Sequence, residues 1–297
     1  MYKRQGSTYP NFLGGLGLVF EQASSRGHIQ ESAHHGILIF PFAIRNHVRT
    51  ALATVRVAVE EKQALRQYQH DFFVSALEEA DEDPVDGWVF GHPADVSLNR
   101  DFIDLLLRHG IEVHELESDR ALGDDTFAAG SAWVVPARQP QYRLARSIFE
   151  RTETFPDSVF YDASTWTVSL AYGMPDAEIR DGGLPMGAAV TAAPRRDVPP
   201  VSRSTISYLL DWRDSEAPRA LQALQARGVR AEVSTRPFTA PVASGGVPLD
   251  RGAISVPVEN QRMDADALYE AISEVSREVG LPVHAATSTY SLAGQDL

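Results

Sequence analysis

Gly130-Ser131-Ala132-Trp133-Val134-Val135-Pro136, with Gln139 close behind, and Gly252-Ala253-Ile254-Ser255-Val256-Pro257, with Gln261 close behind, constrain the fold more than any other feature. Each is a glycine, a short apolar run and a proline, which reads as a buried strand ended by a residue with no backbone donor. Strand-like and helix-like patterns alternate around both. Before the first come a strand at Gly87–Phe90, an amphipathic helix from Leu98 to His109 stopped by Gly110, and a strand at Ile111–His114. A helix at Tyr142–Glu150 follows it. Around the second lie a strand at Ile206–Leu210, a helix from Ala217 to Arg227 stopped by Gly228, and a strand at Val229–Val233. A helix from Asp264 to Val279 and a strand at Pro282–Ala286 close the series. Two copies of such a pattern make an internal echo within an α/β layer protein, not a solenoid. Between them Gly182 to Pro200, rich in Gly, Ala and Pro, reads as a loop or flexible insert.

Before Pro84 the pattern is different. Ile44, Val48, Leu52, Val55, Val59, Leu65, Tyr68, Phe72 and Leu77 recur near helical spacing without Gly or Pro between them. They predict one long helix to about Ala80, or two helices meeting near Glu60-Glu61-Lys62. The acidic run from Glu78 to Asp83, closed by Pro84, reads as a solvated helix end and linker. The chain therefore divides into residues 1–83 and 84–297. Further upstream, Leu16 to Phe20 reads as a short buried strand, and Glu21 stands where that strand opens into a polar, His-containing loop running to Gly36. Ile37 to Phe40 is another apolar run, broken by Pro41. A strand-end Glu is commonly just the first solvated residue, yet such exits are also where a rigid scaffold holds catalytic groups.

The 297 residues suit one large or two ordinary domains, and 43% apolar with 23% charged residues is a globular composition. A net charge of −13 without a Lys/Arg cluster argues against a nucleic-acid partner. No apolar run reaches the length of a bilayer span. The absence of cysteine excludes disulfides, thiolate-bound zinc and a thiol nucleophile without deciding the compartment. Met1-Tyr2-Lys3-Arg4-Gln5 lacks the apolar core of a secretion signal and matches the translation of a sequencing-library adapter. The expectation is that the protein proper begins near Gly6 and that both ends are cut.

Tyr9-Pro10-Asn11-Phe12-Leu13-Gly14, Phe20-Glu21-Gln22-Ala23-Ser24-Ser25-Arg26-Gly27 and Phe40-Pro41-Phe42-Ala43-Ile44-Arg45-Asn46 together resemble the last part of an M14-family zinc carboxypeptidase domain, from about Tyr9 to Phe73. They are similar to a bacterial branch with a large C-terminal extension. Phe160 to Trp166 and Gly294-Gln295-Asp296-Leu297 make residues 84–297 similar to a class I glutamine amidotransferase-like domain, flavodoxin-like in layout. The resemblance implies a metallocarboxypeptidase, a hydrolase of peptide or amide bonds that depends on Zn2+, and peptidases of this branch are often exported. Glu21 would be its general base. Without a cysteine, the extension is amidotransferase-like in shape only.

In this family the metal is held by an HxxE pair and a later histidine, all upstream of the base, so no zinc ligand is expected in this chain and the chain alone is expected to be inactive. His28-Ile29-Gln30-Glu31 has HxxE spacing but follows the base in a predicted loop, and His34-His35 reads as a solvated loop pair. Arg26 could pair with a carboxylate of the substrate or of the protein. Arg45 reads as structural, and Tyr9 stands too close to Glu21 for a family substrate role. Ser24 and Ser25 lack a His–Asp arrangement. His92, His114, Asp162 and Trp166 are candidates only for a pocket at strand ends, with core packing the plainer role for Trp166. Gly14-Gly15-Leu16-Gly17 precedes a strand, the wrong context for a phosphate loop. The alternative function is a non-catalytic substrate-binding or assembly module that accompanies a peptidase.

Overall fold

The structure, a computed structural model, describes residues 8–22, 24–34, 36–151, 167–194 and 196–296. A 3-10 turn at Tyr9–Leu13 precedes a hairpin of β1 (Ile29–Ser32) and β2 (Gly36–Ile39) and two helices, α1 (Phe40–Glu60) and α2 (Lys62–Glu82). Next come β3 (Gly87–Phe90), α3 (Val96–Arg108), β4 (His114–Leu116), the hairpin of β5 (Arg120–Leu122) and β6 (Asp125–Phe127), β7 (Trp133–Pro136) and α4 (Tyr142–Phe149). Then follow α5 (Val168–Tyr172), β8 (Asp176–Ile179), β9 (Met186–Ala189), β10 (Ser207–Leu210), α6 (Ala217–Ala226) and β11 (Glu232–Val233). The last elements are β12 (Phe238–Val242), β13 (Gly245–Leu249), β14 (Ile254–Pro257), α7 (Ala265–Val279), β15 (His284–Ala285) and β16 (Ala293–Gly294). The protein is mixed α/β. Among the described residues no helix is long and apolar enough to cross a membrane.

The chain forms two compact units. The first takes residues 1–89, 109–112 and 134–184, so segments from both sides of residue 84 enter it. In it β3 lies between β8 and β7. A Cβ on Gly87 would stand 2.6 Å from the Val135 carbonyl oxygen, so only glycine lets these strands approach. Trp88 is buried and stacks on Phe149 with ring centroids 5.5 Å apart. Arg143 ties α4 to α2: it donates to the Phe72 carbonyl, to Ser75 and to Glu79, and lies 4.4 Å over the Phe72 ring.

The second unit takes residues 90–108, 113–133 and 185–297. Its four-stranded sheet has the order β11-β14-β10-β15, antiparallel in every pairing, with Leu209 opposite Ser255 and His284. Tyr208, Leu210 and Val256 of that sheet share a core with Leu224 of α6 and Leu268, Ile272 and Val275 of α7. The Asp264 side chain caps α7 by accepting the Ala267 N–H at 2.8 Å, and Gly280 ends the helix at φ 79°. A second sheet has the order β13-β12-β16, and β4 pairs with β9.

The two landmark segments end in the same device. Gln139 donates to the Pro136 carbonyl at 2.6 Å and accepts the Glu112 N–H at 2.7 Å. Gln261 donates to the Pro257 carbonyl at 2.7 Å and accepts the Arg230 N–H at 2.9 Å. In each case one amide side chain joins the proline at a strand end to the segment returning from a helix, just past that helix's glycine stop. The first clamp belongs to the first unit and the second to the second.

Several expectations are corrected. Leu16–Phe20 is not a buried strand: it is unpaired, its residues other than Gly17 are 48–60% exposed, and it lies along a groove of about 690 Å³ lined by Ala53, Val57 and Leu65. An apolar run becomes a strand only beside another strand, and none is described next to it. The loop to Gly36 contains the β1–β2 hairpin instead, with Ile29 opposite Ile39. Of the two readings of the helical stretch, the structure takes the second, two helices separated by Glu61 at φ −94°, ψ 21°, and Pro41 sits in the first turn of α1, where its missing N–H costs nothing. Gly182–Pro200 is not all loop, because β9 within it pairs with β4. The strand read at Ile111–His114 begins only at His114, with Ile111 and Val113 buried ahead of it.

Gln139 is 2% exposed, and removing its side chain takes a partner from the Pro136 carbonyl and from the Glu112 N–H; Gln139→Ala should lower unfolding stability by about 1–3 kcal/mol. Gln261→Ala, at a half-buried position, should cost less when both are measured by denaturant unfolding.

Candidate functional site

Local hydrogen bonds build the turn that follows Glu21. Ser24 Oγ accepts the Arg26 N–H at 3.0 Å, and the buried Ser25 hydroxyl donates to the Gly27 carbonyl at 2.7 Å. This turn holds Arg26 at φ 44°, a left-handed conformation that is strained for a residue with a side chain, while Gly27 takes φ 116° without penalty. Asn46 donates to Gln22, so two of the three segments that carry the peptidase resemblance touch. A groove of about 560 Å³ opens between the turn and the start of α1, with Gln22, Ser25, His28, Phe40, Ile44 and His47 among its walls.

Glu21 itself is exposed, and among the described residues it has no hydrogen-bond or ion-pair partner; Arg26 is exposed with no ion pair. Neither lines the groove. Their geometry leaves both open to a ligand and joins neither to the other.

The described residues do not fit zinc. Nowhere among them do three His, Asp or Glu side chains gather into a group that could hold a metal ion. His28 lies in the bend just before β1 and Glu31 on the strand itself, and positions three apart along an extended chain face opposite sides. His34 is exposed in the hairpin turn, and His35 lies outside the described residues. The other candidates have structural work. The Tyr9 hydroxyl bonds to His109 Nδ1 at 2.8 Å, and Arg45 lies 5.6 Å from the Phe42 ring centroid. His92 Nδ1 accepts the N–H groups of Ala94 and Asp95, which places any neutral-ring proton on Nε2. His114 meets the Gly187 carbonyl at 3.2 Å, across the β4–β9 pair. Asp162 and Trp166 lie outside the described residues.

Two polar clusters were not read from the sequence. In the first unit, a cavity of about 450 Å³ is lined by Asp83, Trp88, Tyr142, Arg146, Glu178 and Arg180, among others. Burial would raise the Asp83 carboxyl, but the Tyr142 hydroxyl, the Val85 N–H and the Arg146 guanidinium outweigh it and hold the group below the usual range. Its cations are already engaged within the cluster, Arg146 by Asp83 and Arg180 by Glu178. In the second unit, Asp95 caps α3 at the Leu98 N–H and accepts both the N–H and the hydroxyl of Ser215, while Arg196 pairs with the buried Asp214. Ser215, His92 and Asp95 are hydrolase residue types, yet Ser215 gives its proton to Asp95 and His92 Nδ1 is taken by the backbone. That geometry activates no nucleophile. Asp83 was hidden because an acidic run before a proline looks like a linker; Asp95 and Ser215 stand far apart in the chain.

No family model, curated protein or solved structure matches this chain.

Burial depresses the pKa of His109, the residue that anchors Tyr9. The unfolded chain therefore takes up the proton first as pH falls, so this group's stability contribution is full above about pH 6.5 and is lost as pH drops through the lower folded value. His109→Gln should reduce the fall in thermal midpoint between pH 7.5 and pH 5 relative to the unaltered chain.

Proposed function

We propose that residues 1–83 are the distal part of an M14-like zinc carboxypeptidase domain, with Glu21 as the general base of peptide or amide hydrolysis and Arg26 as a contact for a substrate carboxylate. On this reading the described residues would not supply the Zn2+ ligands. What supports the reading is the placement of Glu21: exposed, and without a partner among the described residues, it follows an apolar run that is itself half exposed. Leu16, Leu18, Val19 and Phe20 gain by burial against a further surface, and a base beside such a surface would be positioned by it. Residues 84–297 are proposed as the accompanying amidotransferase-like domain, without thioester chemistry for want of a cysteine. The antiparallel pairing of β10, β14 and β15 departs from a flavodoxin-like layout.

A second reading, a non-catalytic substrate-binding or assembly module, is favoured by the lack of a three-ligand metal group among the described residues. The polypeptide extended upstream through the zinc-ligand region separates the two. There Glu21→Gln should lower peptide hydrolysis by roughly 10²–10⁴-fold with zinc content unchanged, the range expected for loss of a general base. Undiminished turnover would remove Glu21 from the mechanism, and absence of hydrolysis in the unaltered extended protein would favour the module.

A further inference from the structure

Ile44, Val48, Leu52, Val55 and Val59 are 48–71% exposed along α1, and no residue of that helix is buried. At the pitch of an α-helix they share one stripe about 80° wide. Arg45, Arg49 and Arg56 fall in a single row on one flank of that stripe, within about 40° of arc. All three are exposed, and among the described residues Arg49 and Arg56 have no ion pair. The sole carboxylate of α1 is Glu60, its last residue. A basic helix with an open apolar stripe is out of character in a chain of net charge −13. Thr50, Ala53, Thr54 and Val57, on the opposite side of the helix, face the Leu16–Phe20 run; at the N-terminal end of the stripe Ile44 and Val48 also line the groove beside the Gln22–His28 turn, which leaves Leu52, Val55 and Val59 as its open centre.

An apolar stripe alone would accept any apolar surface; the arginine row selects among them. Its complement is a polypeptide helix with apolar residues at i, i+3, i+4 and i+7 and carboxylates along one edge. A second copy of α1 offers the row no carboxylate but Glu60. We propose that α1 is a docking surface for an acidic amphipathic helix. The proposal does not require Glu21 to act as a base, and its test is read at Arg49, Leu52, Val55 and Arg56, none of which lines the groove beside the turn that follows Glu21.

The chain can be titrated, by fluorescence anisotropy, with a synthetic helical peptide bearing leucines at that spacing and glutamates on one flank, and with the same peptide carrying lysines instead. The glutamate peptide should bind at least tenfold more tightly, and the advantage should shrink as salt is raised. Arg49→Glu with Arg56→Glu should reverse the preference. Leu52→Asp with Val55→Asp should abolish binding of both peptides; these side chains are exposed, and circular dichroism checks that each variant keeps its fold. Equal binding of the two peptides, binding of neither, or a preference that survives the arginine reversal overturns the proposal. So does uptake by phosphatidylglycerol vesicles with the same arginine dependence and no peptide binding, which would assign α1 to a membrane surface. A concentration-dependent dimer lost in Leu52→Asp, again without peptide binding, would assign it to self-association and overturn the proposal as well.

Discussion

In each compact unit one glutamine side chain bridges a strand end and a returning segment. A strand that ends in proline exposes a carbonyl, and the segment that returns from the preceding helix brings an N–H with no partner of its own. Gln139 satisfies both in the first unit and Gln261 in the second. Gln139 is buried, so leaving its partners unpaired would be expensive and the clamp fixes where that returning segment lies; Gln261 makes the same link at a half-buried position. Around the clamps the cores close: Trp88 on Phe149 in one unit, Tyr208 and Val256 with Leu268 and Ile272 in the other.

The segment from Tyr9 to Glu60 is built on the opposite principle. Among the described residues the hydrogen bonds that tie it to the rest of the unit include Tyr9 to His109 and Gln69 to the Leu13 carbonyl, while Asn46 to Gln22 joins two parts of the segment itself. Its apolar residues on the Leu16–Phe20 run, on β2 and on α1 stay largely in solvent. Surface of this kind is what proteins use for contact with something else. Glu21 lies in the midst of it, which connects the open apolar surface with the proposed chemistry, and the strained turn at Arg26 keeps that loop compact beside α1.

The parts of this fold governed by local signals were legible in the residues. The α3, α4, α6 and α7 helices, the glycine stops at Gly110 and Gly228, and the paired Val-Pro…Gln landmarks follow from periodicity and from glycine's access to positive φ. What was missed depends on distant partners. The short strands β8, β9, β12 and β16 carry too little pattern to announce themselves and exist only through their pairing. Leu16–Phe20 carries a strand's composition but has no neighbour to pair with among the described residues. At the candidate site, the exposure of Glu21 agrees with a strand-exit carboxylate, whereas the HxxE spacing at His28 dissolves once β1 turns its side chains to alternate faces. Asp95 and Ser215 meet across a separation in sequence that no motif spans.

The central claim is that the first unit carries, apart from its clamped core, an uncovered segment with Glu21. Amide hydrogen exchange along the whole chain tests it most directly. Amides at 16–22 should exchange within seconds, while those of β3, β10, β14 and α7 should be protected by the unfolding free energy of their units. Slow exchange across Leu16–Phe20, comparable to that of β10, would mean that this run is paired and covered and would contradict the account.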